Sequence, residues 1–224
     1  MNTFDVDYTL GLFPILLKYI DITLSMALIS GAIALSMAIL IAVIKTYNLK
    51  VLTHLADLYI SFFRGTPLLV QLFLLYYGLP QIFPTLSGIN AFTASVLGLS
   101  LHFSAYMAEA IRGAISSIDQ GQFEAANSLG MTRTQTFRFI ILPQAIRVAV
   151  PSLMNIFIDI VKSTSLAFTL GVAEIMSKAE LEASSSYKYF ESFLAVAIVY
   201  WVLVLTFSYL QRKIEKRLNK AYVK

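Results

Sequence analysis

The sequence predicts an all-α membrane protein with five transmembrane helices, N-terminus outside and C-terminus in the cytoplasm. Three observations carry that expectation. Of 224 residues, 58% are apolar and 13% charged, with a mean hydropathy of +0.73. A soluble domain holds about 45–50% apolar and about 25% charged residues. The apolar residues also fall in runs near the roughly 20 residues that cross a bilayer. Finally, Lys and Arg gather in alternate connections, as the positive-inside rule requires. This composition excludes an ordinary soluble enzyme and a disordered chain. Residues 1–224 read as a single transmembrane domain.

The first run, 22–44, carries small residues (Ser25, Ser30, Gly31, Ala32, Ser36) suited to close helix packing. It is too long for a signal-peptide core, and Asp5 and Asp7 precede it instead of basic residues. It therefore reads as a retained span. The second, about 55–79, is interrupted by Arg64-Gly65-Thr66-Pro67. Such a break is tolerated at membrane depth only against protein or a water-lined cavity.

Residues 78–90 hold Pro80, Pro84 and Gly88 and read as a loop. The third span is about 91–111. A polar stretch, about 112–147, follows. The fourth span is about 148–172, with Asp159 and Lys162 inside it, and 174–191 reads as a polar loop. The fifth is 192–210, with Trp201 and Tyr209 as interface or packing residues. Arg212, Lys213, Lys216, Arg217, Lys220 and Lys224 form a basic tail. That tail, Lys45 and Lys50, and Arg112, Arg133, Arg138 and Arg147 all fall on one side. Only Lys18, Lys178 and Lys188 fall on the other. There is no internal repeat.

The polar stretch between spans three and four has helix signals of its own. Asp119 precedes Gln122, and Thr132 precedes Gln135, at capping-box spacing. They would start helices at 120–129 and 133–141, with Gly130 as a left-handed stop and Pro143 ending the second. Phe123, Ala126, Leu129, Phe137 and Ile140 form an apolar face outside the membrane. It would pack under its own bundle or receive a partner.

The chain has no cysteine, which excludes disulfides and thiolate metal sites. His54 and His102 fit no metal-ligand spacing. No catalytic residue, metal or cofactor is expected in this chain, and the net charge of +4 reflects topology rather than nucleic-acid binding. No Walker A pattern is present, so ATP phosphates would not be held here in that way.

Glu124-Ala125-Ala126, Gly130, Ile140 and Leu142-Pro143 match the signature of the EAA loop of ATP-binding-cassette (ABC) importer permeases. Phe63–Phe73, Tyr76–Pro80, Ala105–Glu109 with Arg112-Gly113, and Lys162–Leu166 resemble the polar amino-acid branch of that family (His/Glu/Gln/Arg/cystine-type). The run from Ser165 to Glu174 looks most like cystine permeases. The resemblance implies a type I ABC importer permease fold in a bacterial plasma membrane. It implies an EAA coupling loop at about 113–146, in which Glu124, Ala125, Ala126, Gly130, Leu142 and Pro143 meet the ATPase. It implies ATPase subunits that bind ATP and Mg, an extracytoplasmic amino-acid-binding protein, and a second permease copy or paralogue. An ion-coupled secondary amino-acid transporter is the alternative, but its usual internal repeat is missing.

Ionisable groups inside a span are functional candidates by default. Lys162 would meet a substrate carboxylate, or pair with Asp159 one turn earlier. Ser163, Thr164, Ser165, Asp159 and Gln71 complete the expected substrate-binding set. The hydroxyls could equally bond their own backbone, and Gln71 could make an interhelical bond. In arginine-type relatives an acid directly follows the matching lysine and another precedes it by six positions. Here those positions are Ser163 and Ile156, which disfavours a guanidinium and favours a neutral amino acid or a zwitterion such as cystine. Arg64 is expected to pair with Asp57, and Glu109 with Arg112. His102 reads as a packing residue. Glu180 and Glu182 read as a solvated outer loop, with a binding protein as the other reading.

Overall fold

A computed structural model of the chain describes residues 4–46 and 50–219. Lys220 and Lys224 of the basic tail lie outside the described residues. Among the described residues four helices are long and apolar enough to cross a membrane: Ile20–Thr46, Ala91–Ser116, the continuous rod Arg133–Leu170, and Tyr189–Leu218. A fifth crossing is broken, with Lys50–Gly65 and Leu68–Ile82 meeting at 110°.

The centre is built from small residues. Helix α1 (Val6–Leu17), which the sequence reading did not foresee, leads into α2 (Ile20–Thr46). The α2 face of Ala27, Ser30, Gly31, Ala34 and Ala38 is buried. Against it packs the third span, the helix Ala91–Ser116, where Val96 and Ser100 meet Ser30. The Ser100 hydroxyl reaches the Ser30 carbonyl at 3.4 Å, and the Ser30 hydroxyl reaches the Val96 carbonyl at 3.3 Å. Only side chains this small let two backbones approach so closely. Ala32 and Ser36, also expected in this packing, face outward.

The second span breaks where the sequence placed the break. Helix α3 (Lys50–Gly65) ends before Pro67, which disfavours helical backbone at Thr66 and caps α4 (Leu68–Phe73). After α4 the chain stays in helical turns, and the stretch 78–90 is not the loop expected there. The chain makes a π-turn (Leu74–Gly78), then α5 (Leu79–Ile82) and a 3₁₀ turn (Pro84–Leu86) before α6 (Ala91–Ser116). The reason lies at Pro80. Proline has no N–H for the ordinary i→i−4 ladder. The preceding Leu79 N–H reaches back to the Leu74 carbonyl, and this wider turn absorbs the misfit.

The same solution recurs at Pro143 and overturns its reading as a stop. Helices α7 (Gln120–Ser128) and α8 (Arg133–Thr136) form as expected. Gly130 sits at φ +74, with Gly130 N–H on Asn127 O and Met131 N–H on Ala126 O, a Schellman closure. Thr132 and Gln135 form the reciprocal capping box, whereas Asp119 caps through Gly121 N–H and makes no box. Beyond α8 a π-turn (Phe137–Ile141) carries the helix straight into α9 (Leu142–Ser163), Leu142 N–H reaching Phe137 O. Helix α8 and the fourth span are thus one rod of 38 residues.

That rod tightens to 3₁₀ over Thr164–Leu170 and ends at Gly171, φ +92. The expected outer loop 174–191 is instead a helix, α10 (Ile175–Ser186), packed on α1 and on α11 (Tyr189–Asn219). Glu174, fully buried, caps α10 by accepting from Ser177 N–H at 2.7 Å and Met176 N–H at 2.9 Å, while the Tyr200 hydroxyl donates at 2.9 Å. Burial pushes its carboxyl above the ordinary range, against the pull of those bonds. Glu182 is half-buried and paired with Lys178 at 2.8 Å rather than solvated, and that pairing raises Lys178. Lys188 joins the α11 end to Asp5 at 2.5 Å, which lowers the carboxyl and raises the ammonium. Basic residues at the ends of α2, α6 and α11 and at the start of the rod collect at one end of the bundle, the sidedness the positive-inside rule requires.

Candidate functional site

A cavity of about 460 Å³ opens between α6 and α9. Its lining includes His102, Tyr106, Ile156, Asp159, Lys162, Ser163 and Ser165. That size suits a small molecule. Asp159 and Lys162 project into it because they stand one turn apart on α9. They pair at 2.6 Å, with both side chains about half exposed, 53% and 54%. The expected pairing of Lys162 with Asp159 is present, and both groups also line the cavity. Ser165 donates to the Lys162 carbonyl at 2.7 Å, leaving its oxygen an acceptor toward the cavity.

Two expected site residues are placed elsewhere. Thr164 is fully buried and donates to the Val161 carbonyl at 2.7 Å, because the 3₁₀ turn rotates it inward. Gln71 is 5% exposed and does not line the cavity. Its amide nitrogen instead spans the break in the second span, meeting Phe63 O and Thr66 O at 3.0 Å and Thr66 Oγ1 at 2.7 Å. Its oxygen faces His102 Nδ1 at 3.0 Å. His102, read as a packing residue, both packs and lines the cavity; its signal was an imidazole in the middle of an apolar span.

Below the cavity lies a charged cluster whose pairing the sequence misassigned. Arg64 reaches Glu109 at 3.6 Å, not Asp57, and its guanidinium covers the Tyr106 ring at 5.4 Å. Asp57 pairs with Lys45 at 2.7 Å. Seven residues are two helical turns, about 10 Å, too far for a direct pair. Glu109 also binds Arg112 at 2.8 Å, as expected, and Lys45 at 3.4 Å. This carboxylate ties α2, α3 and α6 together under the cavity.

At the same end, α7 presents Glu124 and Ala125 outward with Gly130 exposed beyond them. Ala126 turns inward, 3% exposed. Leu129 is 82% and Phe139 62% exposed, so much of the apolar surface stays open while Phe137 and Ile140 are half-buried. Leu142 and Pro143 are exposed at the start of α9. A groove of about 350 Å³ runs between Phe123, Glu124, Asn127, Met131, Arg133 and Thr136.

The family described as "Binding-protein-dependent transport system inner membrane component" matches residues 13–220. The chain belongs to this family. It is 62% identical over 221 residues to a probable amino-acid ABC transporter permease of Vibrio harveyi, covering 99% of each. Two Bacillus subtilis permeases, of an L-cystine and of an arginine transport system, are 37% and 34% identical, covering 98% and 96% of this chain and 93% and 97% of their own. A solved chain described as "Crystal structure of an amino acid ABC transporter with histidines" superposes with a TM-score of 0.89 at 39% identity, covering 96% of this chain and 100% of the other. The protein is thus a multi-pass permease subunit of a bacterial amino-acid ABC importer, with the type I importer fold.

Proposed function

We propose that this permease passes a zwitterionic polar amino acid, with L-cystine the first candidate, through the cavity between α6 and α9. One observation carries the reading: a half-exposed ammonium and carboxylate, Lys162 and Asp159, stand paired within that cavity. An α-amino acid brings the same two charges in the opposite sense, so it can replace the internal pair with two external ones. Lys162 would take the α-carboxylate and Asp159 the α-ammonium, with Ser163 and Ser165 beside them. Ile156 and Ser163 both line the cavity. In the arginine-type resemblance those positions hold acids, so this lining supports a substrate without a guanidinium. Thr164 and Gln71 act as supports behind the wall.

Energy would enter at α7 and α8. The exposed Glu124, Ala125 and Gly130, with Ala126 behind them and Leu142 and Pro143 adjoining, would dock the partner ATPase, which carries ATP and Mg. The π-turn keeps the connection helical. From Arg133 to Lys162 one continuous helix spans about 40 Å at the usual rise, so a tilt imposed at the docking face reaches the cavity wall. This is alternating access by rigid-body motion. An extracytoplasmic amino-acid-binding protein would load the opposite end, and a second permease copy or paralogue would complete the pathway.

The test is ATP-dependent uptake by the assembled complex in vesicles, comparing labelled cystine, glutamine and arginine in wild type and Lys162→Ala. Cystine or glutamine uptake that exceeds arginine uptake and collapses in Lys162→Ala is expected. Unchanged uptake in Lys162→Ala would remove the cavity assignment. Arginine as the preferred substrate would remove the specificity argument. Glu124→Lys should weaken ATPase co-purification; normal recovery of the ATPase would remove the docking assignment.

A further inference from the structure

Gln71 lies behind the cavity wall and determines what His102 can offer inside it. The Gln71 amide nitrogen faces three oxygens: Phe63 O, Thr66 O and Thr66 Oγ1. The Thr66 hydroxyl spends its own hydrogen on Phe62 O at 2.8 Å, so all three neighbours are acceptors. Turning the amide over would set oxygen against oxygen, so the observed orientation is the one that bonds. Gln71 Oε1 therefore faces His102 Nδ1, 3.0 Å away, as an acceptor, and Nδ1 must carry the proton.

In a neutral imidazole the other nitrogen is then an acceptor. Nε2 has no hydrogen-bond partner among the described residues. Nor is it one of the enclosed orphan atoms, which are Thr23 Oγ1 and Thr53 Oγ1. The ring lines the cavity. Phe103 and Tyr106, with ring centroids 4.9 and 5.0 Å away, hold its orientation. With the ring neutral, the cavity thus contains a fixed, unused acceptor on α6, across from the charged pair on α9.

We infer that His102 is a specificity-determining residue whose Nε2 accepts a hydrogen bond from a donor on the substrate's side chain. This deepens the proposed cavity reading and rests on it. The selected class is amino acids whose side chains end in an N–H donor, such as an amide or the distal ammonium of cystine. Side chains of similar length without a donor leave Nε2 desolvated and unpaired, and are disfavoured. Gln71 is a positioning residue that holds the tautomer.

The experiment is direct binding of L-glutamine, L-cystine and L-methionine to the solubilised permease–ATPase complex without its binding protein, so that only the permease discriminates. Wild type should favour glutamine and cystine over methionine by about tenfold, the worth of one hydrogen bond in a desolvated site. His102→Phe should erase that preference by weakening the donor-bearing ligands while leaving methionine unchanged. Should His102→Phe fail to assemble, two milder variants decide. His102→Gln sets an acceptor near the Nε2 position and should keep the preference; His102→Asn mimics Nδ1 and should lose it. A wild type without preference, or a preference surviving in His102→Phe or His102→Asn, overturns the inference. Lys162→Ala separates the two readings. If it loses all binding while His102 variants change nothing, only the His102 assignment falls. If Lys162→Ala binds all three ligands normally, the cavity reading itself falls.

Discussion

Gln71→Met tests whether the break in the second span is held by one side chain. Methionine fills similar volume and makes no comparable hydrogen bond. Its packing at Gly98 is indirect, because Leu72 is the α4 residue that faces Gly98. The substitution strands the buried His102 Nδ1–H and removes the donor from Phe63 O, Thr66 O and Thr66 Oγ1. Each stranded buried polar group costs about 1–3 kcal/mol. His102 is 8% exposed, so its donor carries the full cost, and the carbonyls beside the exposed bend less. The total is about 2–4 kcal/mol. For a chain of this length that lowers Tm by about 5–15 °C. The assay is thermal denaturation of the assembled complex in nanodiscs, with tryptic cleavage after Arg64 as a local probe. Cleavage should quicken as the 110° bend loosens. A Tm within about 2 °C of wild type, with cleavage unchanged, would refute the clamp.

Three further outcomes follow from the geometry. Gly31→Ala places a Cβ 2.8 Å from Phe157 Cδ2, and Phe207 packs on that ring at 5.3 Å; overpacking of about 1–3 kcal/mol should appear as a lower Tm, and an unchanged Tm would show that the ring moves freely. Gly130→Ala meets nothing within 4 Å, so only φ +74 opposes it, at about 1–2 kcal/mol; ATP-driven uptake should fall further than that small loss of stability implies, and proportional losses would separate Gly130 from coupling. Glu174 has a raised folded-state pKa, so the fold binds its proton more tightly than the unfolded chain does. The contribution of Glu174 to stability should be full at low pH, decline as pH rises from the unfolded value near 4.3 through the folded one, and then level off. Glu174→Gln should lower Tm but flatten that slope above the unfolded value; an unaltered slope would assign it to other groups.

What was legible from residues was local. The glycine stop at Gly130, the box at Thr132 and the break at Pro67 depend on atoms within one or two turns, and each stands where its spacing placed it. Apolar run length identified the spans for the same reason. The two prolines show where local rules run out. Pro80 and Pro143 both read as ends of helix, yet each is accommodated by a π-turn immediately upstream. A missing N–H does not say whether the chain stops or takes up the slack; packing on either side decides.

Pairs one turn apart, Lys162–Asp159 and Glu109–Arg112, were legible, but which charges meet across helices was not. Arg64 has Asp57 two turns back on its own helix but finds Glu109 on another, because the bend after Gly65 brings the end of α3 over α6. The cavity shows the same division. Sequence alone picked out Lys162, Asp159, Ser163 and Ser165, because charges and hydroxyls inside an apolar span are conspicuous. It also set the small-residue faces that allow α2 and α6 to approach. Only the tertiary structure brought His102 to the cavity, withdrew Gln71 and Thr164 from it, and gave Nδ1 its partner 31 residues away in sequence. The physical reason is range: helix signals are carried by bonds along the chain, whereas a site is assembled by faces that meet only after the helices have packed.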